Sequence, residues 1–393
     1  MRPIFMKTNR KTNRIQTIRT LVLATAMSLA VPTGGALAQA LDRDVGVPLQ
    51  EAQSLAGRGQ IGAARQRIQQ ARAAADTSNE RRQVARMSAF VNTRAGNFAA
   101  AARDLESVGA GAAQLAPLYY QAGDYDKAIA LGRRMGNTTG LKIVAQSYIR
   151  QGNSQEAAKI YEDLIARDGP RVDYLENLAN AQFKSDDKVA YLGTIERLIR
   201  QDPTPTRWRA LLNNLKSESL TRDAKLSLYK LLRETDNITK PEDYIEFAKF
   251  ATVAQEPGVA INVVETGIEA EQLSAEDPQV QSLLTAANQR LETAKAEFPS
   301  LRRGPEGYFR AANLLYSEGN YRAAAVAYWR SYRQQREIRL SPYINQALIG
   351  LGISSLRAGN TAFAKRAFNL VEEDSAFNEV AALWSLYADT RTS

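Results

Sequence analysis

Residues 57–62, Gly57-Arg58-Gly59-Gln60-Ile61-Gly62, match the G-x-G-x-x-G spacing of a loop that wraps a dinucleotide phosphate. A second set with chemical potential lies downstream. There Arg302, Arg303, Arg310, Arg322, Arg330, Arg333, Arg336 and Arg339 alternate with Tyr308, Phe309, Tyr316, Tyr321, Tyr328, Trp329, Tyr332 and Tyr343. Arginine and aromatic rings together suit polyanions, acidic protein surfaces or sugars, by ion pairing and stacking. Arg322, Trp329, Arg333 and Arg336 follow one another at steps of 7, 4 and 3, which is one stripe of a helix. The competing reading puts Tyr328 and Tyr332 in an inter-helix core and leaves the arginines solvated. Acidic residues cluster at Asp186-Asp187 and Glu372-Glu373-Asp374. Such oxygens are the ligands Ca²⁺ takes, but at helix ends they more often form solvated turns.

Composition narrows the chemistry. The 393-residue chain has neither cysteine nor histidine. Disulfides, thiolate nucleophiles and zinc–thiolate sites are therefore excluded, and so are Ser-His-Asp catalysis and the commonest metal ligand. There is no P-loop and no G-x-S-x-G, and no residue set calls for a cofactor. An enzyme built from this alphabet would work with Asp, Glu, Lys, Tyr, Ser or Thr. Glycan hydrolysis by a carboxylate pair stays open, provided two carboxylates face each other about 5–10 Å apart across a cleft. Hydrophobic content of 44% and charge of 24% are those of a soluble globular protein.

The N-terminus reads as a targeting segment. Arg2, Lys7, Arg10, Lys11, Arg14 and Arg19 form a basic region without acids. An apolar run from Leu21 to Val31 follows, then Pro32 and Ala-Leu-Ala-Gln-Ala at 36–40. That order is expected of a secretory signal peptide. A mitochondrial presequence shares the basic character, but the apolar run and small-residue site favour secretion to the periplasm. The run falls short of the ~20 residues that span a bilayer. Without cysteine the exported chain cannot be a lipoprotein. Residues 1–40 carry six of the 51 basic residues and none of the 42 acidic ones, so their removal leaves 45 against 42, a net of +3. Such a balance gives no electrostatic footprint for nucleic acid.

What must position these residues is helical. The opening glycine phrase recurs as R-A-G-N-F-A-A-A at 94–101, Q-A-G-D-Y-D-K-A at 121–128 and R-Q-G-N-S-Q-E-A at 150–157. It recurs again as S-E-G-N-Y-R-A-A at 317–324 and R-A-G-N-T-A-F-A at 357–364. Glycine accepts φ > 0 after a helix end, Asn or Asp next to it caps the following helix, and the later alanine lets two helices approach. A dinucleotide loop needs a strand before it, whereas P-L-Q-E-A-Q-S-L-A precedes Gly57. The glycines therefore close helical hairpins. No sustained period-2 stretch appears. Gln255 to Ala260 reads as another turn, Asp168-Gly169 as a helix end before Pro170, and Ala286 to Phe298 as a plain helix. The prolines and glycines of 298–307 mark a linker, which divides the chain into 41–300 and 301–393. The stretch 379–389 reads as a closing helix.

Gly152 and Asp186 stand 34 residues apart in equivalent places. Ala157 and Tyr161 correspond to Ala190 and Ile195, then to Ala224 and Tyr229. The best unit is A-Q-S-Y-I-R-Q-G-N-S-Q-E-A-A-K-I-Y-E-D-L-I, Ala145 to Ile165. With its 34-residue helix–turn–helix period and its Ala, Tyr, Gly, Ala, Tyr order, the chain resembles the tetratricopeptide-repeat family over most of 48–380. The resemblance implies an all-α, right-handed superhelical solenoid whose groove is lined by the first helix of each pair. It implies Lys142, Gln146, Ile149 and Arg150 facing that groove from one unit. Glu176, Asn177, Asn180 and Phe183 would come from the next, and residues near Arg207 and Asn214 from a third. Some members of the family clamp a peptide's C-terminal carboxylate with Lys, Asn and Arg donors. Lys142, Asn177 and Arg207 match three of those places, Gln146 replaces an Asn, and Leu211 departs from the pattern. If Trp208 is the buried aromatic of its unit, Arg207 leaves the site. The resemblance implies a non-catalytic scaffold for protein partners in a cell-envelope complex, such as polysaccharide synthesis or export, outer-membrane assembly or pilus biogenesis. The alternatives are a helical glycan-acting enzyme and a polysaccharide-binding module with Tyr316, Tyr321 and Trp329 exposed in a row.

Overall fold

The computed structural model describes residues 41–216, 220–301, 304–338 and 343–391. The targeting segment at 1–40 and the arginines 302, 303 and 339 lie outside these residues. Among the described residues every regular element is a helix.

The turn glycines do what their neighbours require. Gly152 has φ +85°, and Gly59, Gly96, Gly123, Gly319 and Gly359 share the left-handed region. Asp186 and Gln255 take the same conformation, at φ 58° and 61°, where no glycine stands. Asp124 and Asn360 also cap the next helix, accepting from the backbone N–H of Lys127 and Phe363.

Five hairpins follow from these turns. They are α1 (Arg43–Gly57) with α2 (Ile61–Ala74), α3 (Ser78–Arg94) with α4 (Phe98–Glu106), and α5 (Ala112–Ala122) with α6 (Tyr125–Met135). Then come α7 (Thr138–Gln151) with α8 (Ser154–Asp168), and α9 (Val172–Lys184) with α10 (Lys188–Gln201). The chain continues with α11 (Pro205–Lys216), α12 (Arg222–Glu234), α13 (Pro241–Val253), α14 (Pro257–Glu269) and the long α15 (Pro278–Glu297). It ends with α16 (Gly304–Ser317), α17 (Tyr321–Ile338), α18 (Ile344–Arg357), α19 (Thr361–Phe368) and α20 (Asn378–Thr390). Gln255 turns α13 into α14, Gly319 turns α16 into α17, and Gly359 turns α18 into α19.

The alanine five places after each turn glycine explains why the hairpins close. Ala64, Ala101, Ala128, Ala157, Ala324 and Ala364 are all 0% exposed. A larger side chain there would push the paired helices apart. Between α6 and α7 the approach is closer still. A Cβ built on Gly140 would lie 2.3 Å from the Gly132 carbonyl oxygen. First helices also touch across successive hairpins, α1 with α3 and α5 with α7. The hairpins of the first unit thus cover one another's apolar flanks, as a repeat fold needs. Large aromatics fill the inter-helix space, with Tyr161, Tyr174, Tyr229 and Tyr328 fully buried.

The helices divide into two compact units, one up to Tyr191 and one from Leu192, with α10 straddling the division. The break between α15 and α16, near residue 300, falls inside the second unit. That second unit closes on itself. The C-terminal helix α20 packs on α19 and α18 and also on α12. The indole Nε1 of buried Trp384 donates to the Ser227 carbonyl at 3.1 Å, across 157 residues of chain. The Tyr387 ring meets Trp208 edge-on at 6.0 Å. Asp389 pairs with Lys365 at 2.5 Å and with Arg200, while Arg357 pairs with Glu234. The closing helix expected over the last repeat is therefore also a clasp onto a much earlier one.

Candidate partner-binding surfaces

In the first unit, α7 and α9 place Lys142, Gln146 and Asn177 in one polar row. Gln146 Nε2 donates to Asn177 Oδ1 and to the Tyr161 hydroxyl, both at 2.7 Å. Asn177 Nδ2 donates to the Asp173 backbone carbonyl at 2.6 Å. Lys142 Nζ lies 2.7 Å from Asp173 Oδ2 and 4.7 Å from the centre of the Tyr174 ring. Arg171 Nε reaches the other Asp173 oxygen at 3.1 Å. Burial pushes the Asp173 carboxyl up, but its hydrogen bonds to Lys142 and Arg171 outweigh that and hold it below the ordinary carboxylate range. The helical spacing explains the row. Lys142 and Gln146 are one turn apart on α7, as are Asp173 and Asn177 on α9, and such pairs share a face.

The expected clamp residues thus come together, but their donors are already engaged. Asp173 supplies a carboxylate from within the chain at the place where a ligand's carboxylate was expected. Sequence reasoning missed Asp173. The signal was present: opposite charges at Lys142 and Asp173 stand 31 residues apart, close to one repeat. Arg150 is exposed at the C-terminal end of α7, its Nε 3.5 Å from the Tyr120 hydroxyl. Asn180 and Glu176 are exposed on α9. Ile149, expected on the groove, is instead buried. Phe183 is 69% exposed and its ring lies tilted against Tyr191 at 5.7 Å.

Arg207 belongs to α11, in the second unit. Trp208 is the buried aromatic of α11, and Arg207 turns back to pair with Asp202. Leu211 is buried and Asn214 half-buried.

On α17 the stripe forms as spaced. Arg322, Arg333 and Arg336 are exposed, and Arg333 pairs with Glu337 at 3.6 Å. Trp329 is 36% exposed and packs against Tyr332 at 5.5 Å and Phe363 at 6.1 Å. Tyr328 and Tyr332 face inward and are buried. Tyr316 is a correction. It is only 4% exposed, with the Lys230 ammonium 4.4 Å from its ring centre, and burial raises its hydroxyl pKa. The row of exposed aromatics needed by a polysaccharide-binding surface through Tyr316, Tyr321 and Trp329 is therefore not formed.

The acidic clusters have local duties. Asp187 caps α10 by accepting from Ala190 N–H, and Glu372 bonds Asn345. Among the described residues no group of three or more potential metal-binding side chains converges. No helix among them is long and apolar enough to cross a membrane.

No family model matches the chain, and no curated protein does. Among solved structures the chain is similar to the Naa15/Naa10 complex bound to HypK-THB, at 12% identity and TM-score 0.30, over 97% of this chain and 80% of that one. It is similar to a tetratricopeptide repeat protein from Parabacteroides merdae at 12% identity and TM-score 0.22, over 79% and 99%. Yeast Tom70 aligns at 13% identity and TM-score 0.21, over 95% and 96%. These scores are too low to carry any role across. The hairpins themselves carry the conclusion: left-handed turn residues, buried alanines at a constant offset and flank-to-flank stacking make this chain an all-α repeat fold of stacked helical hairpins.

Proposed function

We propose that the chain is a non-catalytic scaffold, exported to the periplasm by residues 1–40, that holds a protein partner in a cell-envelope complex. Stacked hairpins of this kind offer long side-chain surfaces for protein recognition. The observation that supports this reading is the polar row on α7 and α9, where hydrogen bonds and an ion pair tie equivalent positions of successive hairpins into one continuous surface. Arg150 and Asn180 extend that row into solvent. The exported address rests on the order of basic, apolar and small residues at the N-terminus.

Charge reversal tests the surface. The double variant Lys142→Glu, Arg150→Glu is compared with the wild-type chain in quantitative affinity capture from envelope extract. A partner recovered by the wild type is expected to fall at least about tenfold, the change that 1.4 kcal/mol of binding energy produces. The thermal midpoint of the variant is measured alongside to show that it is folded. Undiminished recovery by a folded variant would remove this row from the binding surface.

A further inference from the structure

In the second unit, one face of α17 turns to solvent along the length of the helix. Arg322, Val326, Trp329, Arg333 and Arg336 follow one another at steps of 4, 3, 4 and 3, and all are exposed. That spacing keeps them on a single stripe. Arg330 and Glu337 are exposed at its edge. The opposite face is the core side, where Tyr328, Ser331, Tyr332 and Gln335 are buried. The solvent face thus sets four arginines against one carboxylate. Glu337 pairs with Arg333 at 3.6 Å, and the Arg330 guanidinium lies 5.7 Å from the centre of the Tyr308 ring. On α19, exposed Arg366 adds a further cation, and that helix holds no acidic residue.

Two large apolar side chains sit among these charges. Val326 is 53% exposed and Trp329 36%, whereas the other tryptophans, Trp208 and Trp384, are 3% and 1% exposed. Trp329 also meets Phe363 of α19 ring to ring at 6.1 Å. The space between the two helices is therefore taken up by their own side chains. A partner's helix lays its apolar face into a groove, and this surface offers a ridge instead. Its 14 residue steps from Arg322 to Arg336 span about 21 Å. A plane of lipid headgroups needs no groove. Its phosphates accept from guanidinium forks, and its interfacial layer takes tryptophan rings.

We infer that the exposed face of α17 docks on an anionic phospholipid surface. Arg322 reaches headgroups at one end of the stripe, and Arg333 and Arg336 reach them at the other. Val326 and Trp329, between the two, enter the interfacial layer. The excess of cations over the single carboxylate is the complement of such a surface. An acidic protein has the same sign of charge, but it would have to grip a ridge that holds no pocket for its side chains. The inference stands apart from the protein-binding row of the first unit.

Vesicle flotation tests it, using the chain from residue 41, which keeps every described residue and removes the six basic side chains of the leader. Vesicles of phosphatidylcholine alone are set beside vesicles in which half the lipid is phosphatidylglycerol. Binding is expected to the anionic vesicles only, and to weaken as salt rises. The double variant Arg333→Gln, Arg336→Gln is expected to bind about thirtyfold more weakly, since each basic side chain near such a surface contributes about fivefold. Brominated phosphatidylcholine mixed into the anionic vesicles is expected to quench the wild-type tryptophan emission but not that of Trp329→Phe, whose remaining indoles are buried. Circular dichroism melts establish that both variants are folded, and should one not fold, the other decides. Absence of flotation, equal flotation with neutral vesicles, full-strength binding by the folded double variant or equal quenching in Trp329→Phe would each overturn the inference. Binding of soluble poly-L-glutamate without flotation would overturn it too, and would assign the face to an acidic protein.

Discussion

At the scale of the residue, the interactions that matter are those that join three elements at one atom. Asp168 ends α8 and accepts from Arg167 Nε at 2.9 Å, from the Tyr174 hydroxyl of α9 at 3.1 Å and from the Thr138 hydroxyl of α7 at 3.1 Å. The Arg167 guanidinium foremost, opposed by partial desolvation and helped by the two hydroxyls, holds its carboxyl at about 2 against an ordinary 3.8. A depressed folded-state pKa means the unfolded chain takes up its proton first. The stability these bonds supply is therefore complete above pH 3.8 and is lost as pH falls from there to about 2. In Asp168→Asn the thermal midpoint should fall less steeply over that window than in the wild type. Parallel acid limbs would show that Asp168 contributes nothing to the linkage. This kind of detail was only partly legible in the sequence. Lys142, Gln146 and Asn177 were found because they sit at matching places in successive repeats. Asp173 was missed because a repeat template says which positions face outward but not which outward residues neutralise one another. The buried Lys230–Glu256 pair was missed for a similar reason, although a lysine inside Leu228-Tyr229-Lys230-Leu231-Leu232 is a visible anomaly.

At the scale of the element, a hairpin is held by a backbone torsion and a missing side chain. Both are local, which is why they were readable from G-N-x-x-x-A phrases alone. Where the glycine is absent, Asp186 and Gln255 still adopt positive φ, so the fold imposes the turn even on residues that resist it. Ala157→Leu places three further heavy atoms where the alanine has 0% exposure, and overpacking of this kind costs about 1–3 kcal/mol. Ala166→Leu, on the exposed side of the same α8, is expected to stay within about 0.5 kcal/mol of the wild type. Urea unfolding midpoints of the two variants compare the faces directly. Equal midpoints would mean the alanine is not a contact between the paired helices. The long α15 packs on α14, and its second half was readable as a plain helix from Ala286 onward, where the sequence has no glycine break.

At the scale of the whole molecule, what the sequence could not show is non-local. Nothing in residues 379–389 announces that Trp384 reaches the Ser227 carbonyl, or that Asp389 gathers Arg200 and Lys365. Long-range closure depends on the summed angles between many hairpins, and no window of sequence carries that sum. The division at Tyr191 and Leu192 is hidden in the same way, because it runs through a continuous helix. The proposed role requires that the first helices of the hairpins form a surface that grips another protein. It is tested most directly by placing a photo-crosslinking amino acid in the full chain in its native host, at Asn180 on α9 or at Lys159 on α8. Both positions are exposed. A discrete covalent protein adduct is expected from position 180 and none from position 159. Adducts of equal yield from both positions, or from neither, would contradict it.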